Sequence, residues 1–306
     1  MEKGTKLALS RQITSIRIPQ DKNMTFSIMH WNVLNDFYCT PQRYPKIKSD
    51  YLKSEYRKNL IAKEIFAHNA DIVCLSEINK DDLTLYESIL GEKQGYLSIY
   101  TEKLDGVDGL LFCFKKKKFE YVDGIQGEYL DLTTGKKYPQ VYQLNVLRSL
   151  VEESKDYTLL IGYSHFKAKP EYYGARIEQA TQLSGNFKTM REKLKKELGD
   201  KKHKLATILL GDFNDEVGAE SIAILQDLGM NLFYEWEKFS KFYVREDIEQ
   251  VFCDHMFYSS NLVPIERITF PTEERIGSNG LPNSEYPSDH LSIYSKFEFV
   301  GRPIGK

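Results

Sequence analysis

A long series of short apolar segments with the composition of β-strands sets the strongest limit on how this chain can fold. Segments rich in β-branched and aromatic residues include TFSIMHWNVL, DIVCLSEI, GLLFCFKKKKFEYV, YTLLIGYSHFK, LATILLGDFND and LSIYSKFEFV. Turn-forming residues such as Asp123-Gly124 and Gly135 separate the strand candidates in the middle of the chain. Helical patterns, including YLKSEYRKNLIAKEIFAHNA and a long charged one over 172–198, lie between the strand-like segments. We therefore predict an α/β fold in which two packed sheets form a two-layer β-sandwich. Helices flank both outer faces, which gives a four-layer α/β/β/α arrangement.

The length and the composition indicate one domain. A chain of 306 residues, 41% of them hydrophobic, can bury a complete core, and α/β folds of this size often form a single domain. The sequence contains no internal repeat and no low-complexity linker. We predict a domain over 25–306, which begins near Thr25, and an N-terminal extension over 1–24.

Charge and cysteine content narrow the class of protein. The 42 basic and 44 acidic residues give a net charge of -2, which argues against a chain that is electropositive all over. A local basic channel is compatible with this net charge. The four cysteines, Cys39, Cys74, Cys113 and Cys253, lack CxxC spacing and predict buried free thiols in a reducing compartment. No apolar run approaches the ~20 residues that cross a bilayer, and the N-terminal residues lack a secretory signal core. We expect a cytoplasmic monomer without membrane contact, while a nuclear or mitochondrial location stays open.

Polar side chains lie at the ends of many apolar segments, and this arrangement carries the functional interpretation. The residues are Asn32, Glu77, His165, Asp212, Asn214, Asp254, Asp289 and His290. Each alone has an ordinary explanation, since Asp and Asn commonly form turns with their own backbone and a histidine in a strand is commonly a core residue. Neither turn formation nor core packing predicts their joint occurrence. Polar groups at strand ends can converge in one rigid pocket, as a hard cation with oxygen ligands requires.

Short motifs occur along nearly the whole chain, from about Phe26 to Phe299, in an order that resembles a known superfamily. They are HWNVLN, CLSE, DGLLFCF, SHFKAK, GDFND, CDHMFYS and YPSDHLS. In this order they resemble the endonuclease/exonuclease/phosphatase superfamily. YRKNLIAKEIFAHNADIVCLSE and LPNSEYPSDHLS are similar to its deadenylase branch, and HFKAK with RIEQATQL is similar to the nocturnin-like members. One departure is Ser76, where the superfamily usually has glutamine before the glutamate.

The resemblance implies a phosphoester hydrolase that uses Mg²⁺, with Mn²⁺ as a substitute. It makes Glu77 the principal metal ligand, with Asn32 beside it. Asp289 would help to complete the ligand shell, directly or through water. This set is sparse, but magnesium typically takes only one or two carboxylates and keeps several waters.

The same resemblance implies roles for the remaining polar residues. Asp212, oriented through Asn214, would hold and deprotonate the attacking water. His290 would contact the scissile phosphate, with its tautomer fixed by Asp254. His165 would donate a hydrogen bond to a non-bridging phosphate oxygen.

Three cationic residues are predicted to bind further phosphates of the substrate. Lys167 and Lys169 alternate along what the sequence predicts to be one strand, so they point to the same side as His165. With Arg176 nearby in the sequence, they form a predicted cationic clamp. The lysine run over 115–118 is predicted to be a solvated strand end instead.

Three functions of different classes stay open. The first is a 3'-to-5' exoribonuclease on poly(A) or other single-stranded RNA, for which 20 Tyr and 17 Phe offer stacking platforms. The second is removal of the 2'-phosphate from NADP(H), a phosphorylated dinucleotide, which the nocturnin-like HFKAK motif favours. The third, a catalytically inactive RNA-binding protein, is disfavoured because all the acid, amide and imidazole positions are present.

Overall fold

Two mixed β-sheets pack face to face in the computed structural model, which describes residues 6–234 and 237–300. The first sheet has seven strands, in the order β1 (Ile13–Ser15), β14 (Leu262–Ile268), β15 (Ile293–Phe299), β2 (Thr25–Asn32), β3 (Ile72–Ile78), β5 (Gly109–Lys115) and β4 (Tyr96–Glu102). The second has six strands, in the order β10 (Asn231–Phe233), β13 (Asp254–Tyr258), β9 (Leu205–Asp212), β8 (Thr158–His165), β7 (Lys137–Ser149) and β6 (Phe119–Leu130). A hairpin of β11 (Lys241–Val244) and β12 (Ile248–Val251) forms a separate small sheet.

Helices cover the outer faces of the two sheets. They are α1 (Ser54–His68) and α2 (Leu83–Leu90) on the first sheet, α3 (Tyr173–Leu198) and α4 (Glu220–Gln226) on the second, and the one-turn α5 (Glu273–Ile276). Side chains that alternate along a strand face different layers. In β9, Ile208 joins the core between the sheets, whereas its neighbour Leu209 packs with Leu183 and Phe187 of α3. The predicted four-layer α/β/β/α fold is confirmed.

The pairing of the strands gathers the polar strand ends at one edge of the sandwich. β2 is parallel to β3, and β8 is parallel to β9, so the carboxyl ends of each pair meet. Asn32 ends β2, and Glu77 lies near the end of β3. In the second sheet, Asp212 is the cross-strand partner of both His165 on β8 and Asp254 on the antiparallel β13.

One turn predicted from the sequence is wrong. Asp123-Gly124 was expected to separate two strands, but both residues lie inside β6, where the pairing with β7 shifts register after Tyr121. Gly124 is needed there because a Cβ would lie 1.9 Å from the Tyr121 hydroxyl and 2.8 Å from the carbonyl oxygen of Leu144. The turn lies earlier, over 116–118, and divides the segment GLLFCFKKKKFEYV into β5 and β6.

Part of the predicted extension over 1–24 packs into the domain. β1 is the edge strand of the first sheet, and Leu9 belongs to the main core. Arg11 is buried, and its Nη1 lies 2.9 Å from Oε1 of Glu64 on α1 and donates a hydrogen bond to the Tyr286 hydroxyl at 3.1 Å. Residues 1–5, 235–236 and 301–306, which the predicted extension and domain include, lie outside the described residues.

The Arg11–Glu64 ion pair supports a prediction about stability. Arg11→Ala is expected to lower the free energy of unfolding by about 3–5 kcal/mol, because it leaves the Glu64 carboxylate buried without its cation. Urea unfolding followed by tryptophan fluorescence measures this change. Lys53→Ala removes an exposed ion pair with Asp50 and serves as the control, which should leave the unfolding midpoint unchanged. Equal unfolding midpoints for the two variants would show that the buried ion pair contributes nothing to the stability of the fold.

The cysteines follow the prediction made for them. All four lie in the described part of the chain, and each is buried and free. The prediction of buried free thiols is therefore confirmed. Within 6–234 and 237–300, no helix is both long enough and apolar enough to cross a membrane.

Candidate active site

A cleft of about 1510 Å³ opens at the edge where the strand ends meet. Glu77, His165, Asp212 and Asn214 line it, so the structure brings together side chains from three distant parts of the chain. The cleft is also lined by the cations Arg43, Lys103, Lys167, Lys169, Lys241 and Arg245. Cations around a carboxylate-bearing floor suit a polyanionic substrate that approaches a bound metal ion.

Glu77 lies at a β-bulge near the end of β3. The pairing of β3 with β5 shifts register between Ser76 and Ile78, and Glu77 has a φ of 61°. This left-handed conformation is costly for a residue other than glycine, and such costs are commonly retained at functional sites. The bulge breaks the alternation of side chains and aims the carboxylate at the cleft. There, Oε2 of Glu77 accepts a hydrogen bond from the backbone N–H of Asn35 at 2.8 Å.

Asn32 holds two carboxylates close together. Its Nδ2 donates to Oε1 of Glu77 and to Oδ2 of Asp212, each at 2.9 Å. Its Oδ1 accepts a hydrogen bond from the backbone N–H of Leu34 at 3.0 Å. The prediction that Asn32 is a metal ligand beside Glu77 stays a prediction. In this arrangement the nitrogen of its side chain faces the carboxylates, which suits it to position Glu77 and Asp212.

Asp212 ends β9 in a tight local geometry. Gly211 before it has a φ of 154°, and a Cβ there would lie 1.9 Å from the carbonyl oxygen of Ser164. Only glycine therefore permits the close approach of β8 and β9 at this point. Oδ1 of Asp212 accepts a hydrogen bond from the backbone N–H of Asn214 at 3.1 Å, while the Asn214 side chain donates to the carbonyl of Phe166. The predicted link between Asp212 and Asn214 is present, through the backbone amide.

A buried carboxylate joins two histidines next to Asp212. Oδ2 of Asp254 lies 2.8 Å from Nδ1 of His290, and its Oδ1 lies 2.9 Å from Nε2 of His30. The hydroxyl of Ser240 donates to Oδ2 of Asp254 at 2.7 Å. The predicted contact between Asp254 and His290 is therefore present. It directs Nε2 of His290 towards Asp212, whose Oδ2 lies 3.6 Å away.

Burial and neighbouring charges set the protonation of this cluster. Burial lowers the pKa of His290, but the carboxylates of Asp254 and Asp212 outweigh it and raise the pKa to about 9. Burial alone would raise the pKa of Asp254, whereas His290 and His30 hold it well below its ordinary value. Burial raises the pKa of Asp212, and His290 opposes this only in part. A carboxylate with a raised pKa is suited to accept a proton from water.

His165 lies between Asp212 and a buried lysine. Its Nε2 lies 3.5 Å from Oδ2 of Asp212, and its Nδ1 lies 3.3 Å from Nζ of Lys103. Burial, Lys103 and His290 hold the pKa of His165 well below its ordinary value, so its imidazole is neutral. Lys103 is fixed by Asp108, whose Oδ1 lies 2.9 Å from its Nζ. Burial raises the pKa of Asp108 to about 6, against the opposing effect of Lys103.

Asp289 is a buried carboxylate with one uncommitted oxygen. Its Oδ2 accepts a hydrogen bond from the Tyr44 hydroxyl at 2.8 Å and lies 3.9 Å from Nζ of Lys241. Burial raises the pKa of Asp289, but Lys241, His290 and Arg43 outweigh this and hold it below its ordinary value. Its Oδ1 is buried and has no hydrogen-bond partner among the described residues. That oxygen is free to meet a cation or its water.

The residues present fit a hard divalent cation. Glu77 and Asp212 offer carboxylate oxygens that converge on one nitrogen of Asn32, and Asp289 offers the uncommitted Oδ1. Oxygen ligands of this type and number suit Mg²⁺, which completes its shell with water. The cleft can therefore hold a divalent metal ion with the predicted residues Glu77 and Asp289 nearby.

The two lysines of the predicted clamp lie in a loop. β8 ends at His165, so the strand predicted to carry Lys167 and Lys169 is wrong. Lys169 has a φ of 79°, and Nζ of Lys167 lies over the ring of Tyr172, 4.8 Å from its centroid. Both lysines nevertheless line the cleft together with His165.

Arg176, the third member of the predicted clamp, makes polar contacts with other groups of the protein. It is buried, and its Nε lies 2.8 Å from Oδ2 of Asp215. Its Nη1 donates to the carbonyl oxygens of Lys167 at 3.1 Å and Lys169 at 2.7 Å. These contacts favour a positioning role for Arg176, which holds the lysine loop, over direct binding of a phosphate.

The sequence does not predict several residues that surround the site. They are His30, Asn35, Arg43, Tyr44, Lys103 and Lys241. Only His30 had a usable signal, because it precedes Asn32 by two positions in β2 and so lies on the same face of the strand. The others come from loops or a short hairpin, where no periodicity indicates the direction of a side chain.

Comparison with known proteins supports the family assignment. Residues 29–290 match the Endonuclease/Exonuclease/phosphatase family. Nocturnin of Xenopus laevis is 25% identical over 325 residues, which cover 96% of this chain and 78% of that protein. Human nocturnin is also 25% identical, with 91% of this chain and 66% of that protein covered. The CCR4-Not complex 3'-5'-exoribonuclease subunit Ccr4 of Schizosaccharomyces pombe is 23% identical, and this chain covers 90% of its own length but only 49% of Ccr4.

Solved structures share the fold described above. The human nocturnin catalytic domain with bound sulfate has a TM-score of 0.73 and 24% identity, with 95% of this chain and 97% of that chain covered. ANGEL2, a 2',3'-cyclic phosphatase in complex with adenosine-2',3'-vanadate, has a TM-score of 0.76 and 20% identity, with 94% and 98% covered. Since the family match runs from Met29 in β2 to His290 and so includes the whole cleft, the chain belongs to the endonuclease/exonuclease/phosphatase family, in the branch of nocturnin and the deadenylases that its motifs predicted.

Proposed function

We propose that this phosphoester hydrolase depends on Mg²⁺, with Mn²⁺ as a substitute, and acts as a 3'-to-5' exoribonuclease on poly(A) or other single-stranded RNA. The observation that carries the proposal is the convergence of Glu77 and Asp212 on Asn32, beside the Asp254–His290 pair, at the floor of an open cleft. Hydrolysis of a phosphoester needs charge neutralisation at the phosphoryl oxygens, an in-line water and a route for protons. This group of side chains offers all three.

The cation would be held by Glu77, with Asp289 meeting it directly or through water. When bound, a divalent cation neutralises charge on the phosphoryl oxygens and orients the phosphate. Asn32 keeps Glu77 and Asp212 at a fixed separation, because it donates to both. The positions of the carboxylates are thus set before substrate arrives, which avoids reorganisation during the reaction.

The protein's own groups would move the protons and bind the phosphate. Asp212 accepts a proton from the attacking water, for which its raised pKa is suitable. His290, oriented by Asp254 through Nδ1, presents Nε2 to the scissile phosphate. His165, a neutral imidazole, donates one N–H to a non-bridging oxygen. Lys103 stands behind His165 and fixes its orientation.

The size and the lining of the cleft support an oligonucleotide substrate. Its volume of about 1510 Å³ exceeds the roughly 300–1,000 Å³ of most small-molecule sites. Lys167, Lys169 and Arg245 line it and attract a phosphate backbone, while Tyr172 and Tyr243 offer rings on which bases stack. The exoribonuclease named among the relatives, Ccr4, supports the same substrate class.

A second candidate is removal of the 2'-phosphate from NADP(H). The HFKAK motif supports it, and so does the loop that Arg176 holds, which carries both Lys167 and Lys169. A pair of lysines suits one terminal phosphate as well as it suits a backbone. The ANGEL2 neighbour adds 2',3'-cyclic phosphates to the substrates worth testing.

Parallel assays in Mg²⁺ separate these substrates. The protein is given 5'-labelled oligo(A), NADPH, and an oligonucleotide that ends in a 2',3'-cyclic phosphate, with Glu77→Ala as the background. Progressive shortening of oligo(A) supports the exoribonuclease. Phosphate release from NADPH alone supports the second candidate, and opening of the cyclic phosphate alone supports an ANGEL2-like activity. A folded protein that turns over none of the three would contradict hydrolysis and favour the inactive RNA-binding alternative.

The lysine loop supports a prediction about substrate binding. Replacing Lys167 and Lys169 together by Ala is expected to raise KM by about tenfold or more with little change in kcat, because hydrogen bonds to charged groups contribute roughly 1.5–3 kcal/mol. Lys116 and Lys117, replaced together by Ala, remove the same charge from a turn that does not line the cleft. An equal KM for the two double variants would return Lys167 and Lys169 to the solvated surface.

We also propose that the protein is a monomer in the cytoplasm. The four buried, free cysteines support the cytoplasmic part of this proposal, because free thiols persist in a reducing compartment. Sedimentation velocity and fluorescence microscopy of the tagged protein test the two parts separately.

A further inference from the structure

A thiol lies beside Asp212 in the cleft, and none of the steps proposed above uses it. Cys253 lines the cleft, is only 1% exposed, and directly precedes β13. Its sulfur, a carboxylate oxygen of Asp212 and a ring nitrogen of His290 all lie within 4.8 Å of one another. Three ligand atoms of three different types therefore lie close together.

This ligand set differs in kind from the oxygen ligands around Glu77. Mg²⁺ requires hard oxygen ligands in octahedral geometry and has little affinity for sulfur. A thiolate, an imidazole and one carboxylate instead suit tetrahedral Zn²⁺, which in open sites takes three protein ligands and one water. Cys253 thus gives this part of the cleft an affinity for softer cations, which the oxygen ligands around Glu77 lack.

The orientation of His290 is the one that a zinc ligand needs. Asp254 binds Nδ1 of His290 at 2.8 Å, which leaves Nε2 to face Asp212. Metal-binding histidines commonly donate their other ring N–H to a carboxylate in this way. Nε2 of His290 and Oδ2 of Asp212 are 3.6 Å apart, close to the roughly 3.4 Å expected when both lie about 2.1 Å from a tetrahedral ion.

Cys253 must move only slightly to complete the site. Its Sγ lies 3.8 Å from Oδ2 of Asp254 and 4.0 Å from Oγ of Ser240, so no strong hydrogen bond holds it. The ligand atoms lie up to 4.8 Å apart, and a separation of that length has to shorten by about 1 Å to reach tetrahedral spacing. A rotation of the Cys253 side chain can supply this movement. Burial raises the pKa of the thiol, so it keeps its proton until a cation replaces it. On binding, the thiol proton of Cys253 and the proton on Nε2 of His290 both pass to solvent. A sulfur–zinc bond and a nitrogen–zinc bond then form, with no change of oxidation state.

We propose that Asp212, Cys253 and His290 form an inhibitory site for Zn²⁺, separate from the oxygens that Glu77 and Asp289 offer to Mg²⁺. Zinc bound there withdraws the Asp212 carboxylate from the attacking water and Nε2 of His290 from the scissile phosphate. Turnover therefore stops even when Mg²⁺ is saturating. The inhibition rests on the proposed function, whereas the binding of zinc does not.

Co²⁺ tests the binding without any substrate. A thiolate on tetrahedral Co²⁺ produces strong near-ultraviolet charge-transfer absorption, which oxygen and nitrogen ligands do not produce. We expect the 306-residue protein to show this band with one equivalent of Co²⁺ and Zn²⁺ to remove the band. Cys253→Ser and Cys253→Ala should both lack it. Cys113→Ala removes a buried thiol from β5 in the other sheet and should keep the band. Absence of the band in the unchanged protein, or its persistence in both Cys253 variants, would overturn the site.

Zn²⁺ titration of the Mg²⁺-dependent activity tests the inhibition. Cys253→Ser should raise the Zn²⁺ concentration for half-inhibition by at least about tenfold, because loss of even an outer partner of a metal ligand costs about 10–100-fold in affinity. The rate without zinc should be unchanged. Equal zinc sensitivity in Cys253→Ser and the unchanged protein would overturn the inhibitory role. A protein that shows the Co²⁺ band but hydrolyses nothing would instead refute the proposed function and leave the zinc site standing.

Discussion

Asp212→Asn is expected to lower kcat by about 10³- to 10⁴-fold, which is the upper part of the range for loss of a general base. The change keeps the size of the side chain and an oxygen that can accept the hydrogen bond from Asn32, so it removes charge and basicity more than shape. The raised pKa of Asp212 and its position between His165 and His290 are the reasons to expect so large an effect. Single-turnover assays with saturating substrate measure it.

The matched control for this variant is Asp227→Asn. Asp227 is exposed after α4 and does not line the cleft, so the same chemical change should leave kcat unaltered. A thermal unfolding midpoint close to that of the unchanged protein is required of both variants. If Asp212→Asn kept more than about a tenth of the normal kcat, Asp212 would be a positioning residue and the base would have to be sought elsewhere.

Glu77→Ala is expected to abolish measurable turnover at ordinary Mg²⁺ concentrations, with kcat/KM lower by at least about 10³-fold. Stabilisation of charge by a bound cation contributes several kcal/mol, and each 1.36 kcal/mol corresponds to about tenfold in rate. Glu77→Gln tests the same point with less disturbance, because its single amide oxygen can keep one of the two hydrogen bonds that Glu77 accepts from Asn32 and from the backbone of Asn35. Both variants should also bind Mn²⁺ more weakly, which electron paramagnetic resonance measures directly.

Glu55→Gln is the control for the glutamate variants. Glu55 is exposed in the first turn of α1, away from the residues that line the cleft. It should retain both activity and Mn²⁺ affinity. Near-normal turnover in a folded Glu77→Ala protein would remove Glu77 from the metal site.

Much of the fold followed from the apolar patterns, because burial on both faces leaves a strong signal in the sequence. β2, β3, β8 and β9 are buried along their whole length, and all were predicted. β1 was missed because its three residues, Ile13–Ser15, are half-exposed or exposed, carry no such signal and pair only at the edge of the sheet. The turn expected at Asp123-Gly124 was wrong because a bulge can absorb the same residue types inside a strand.

The sequence predicts those site residues whose side chains suit the reaction and which also lie at the end of an apolar run. Asp212 and Asp254 follow or begin apolar runs, so their place at a strand end could be inferred, and the register then brings them opposite each other. Lys103 and Lys241 were not predictable, because ordinary surface lysines have the same local sequence. Their contacts with His165 and Asp289 arise from packing between distant elements. Substrate binding by Arg176, which its proximity in the sequence suggested, stays a prediction. Its guanidinium lines the cleft and also holds the lysine loop, a contact that the sequence does not predict.

The proposed mechanism depends on a catalytic divalent cation at Glu77, with Asp212 beside it. The most direct measurement is the anomalous difference density of a crystal soaked in Mn²⁺. We predict a peak within about 2.3 Å of a Glu77 carboxylate oxygen, on the side that faces Asp212 and Asp289. A well-ordered cleft with no peak at Glu77, or with Mn²⁺ bound only by Asp212, Cys253 and His290, would contradict the account.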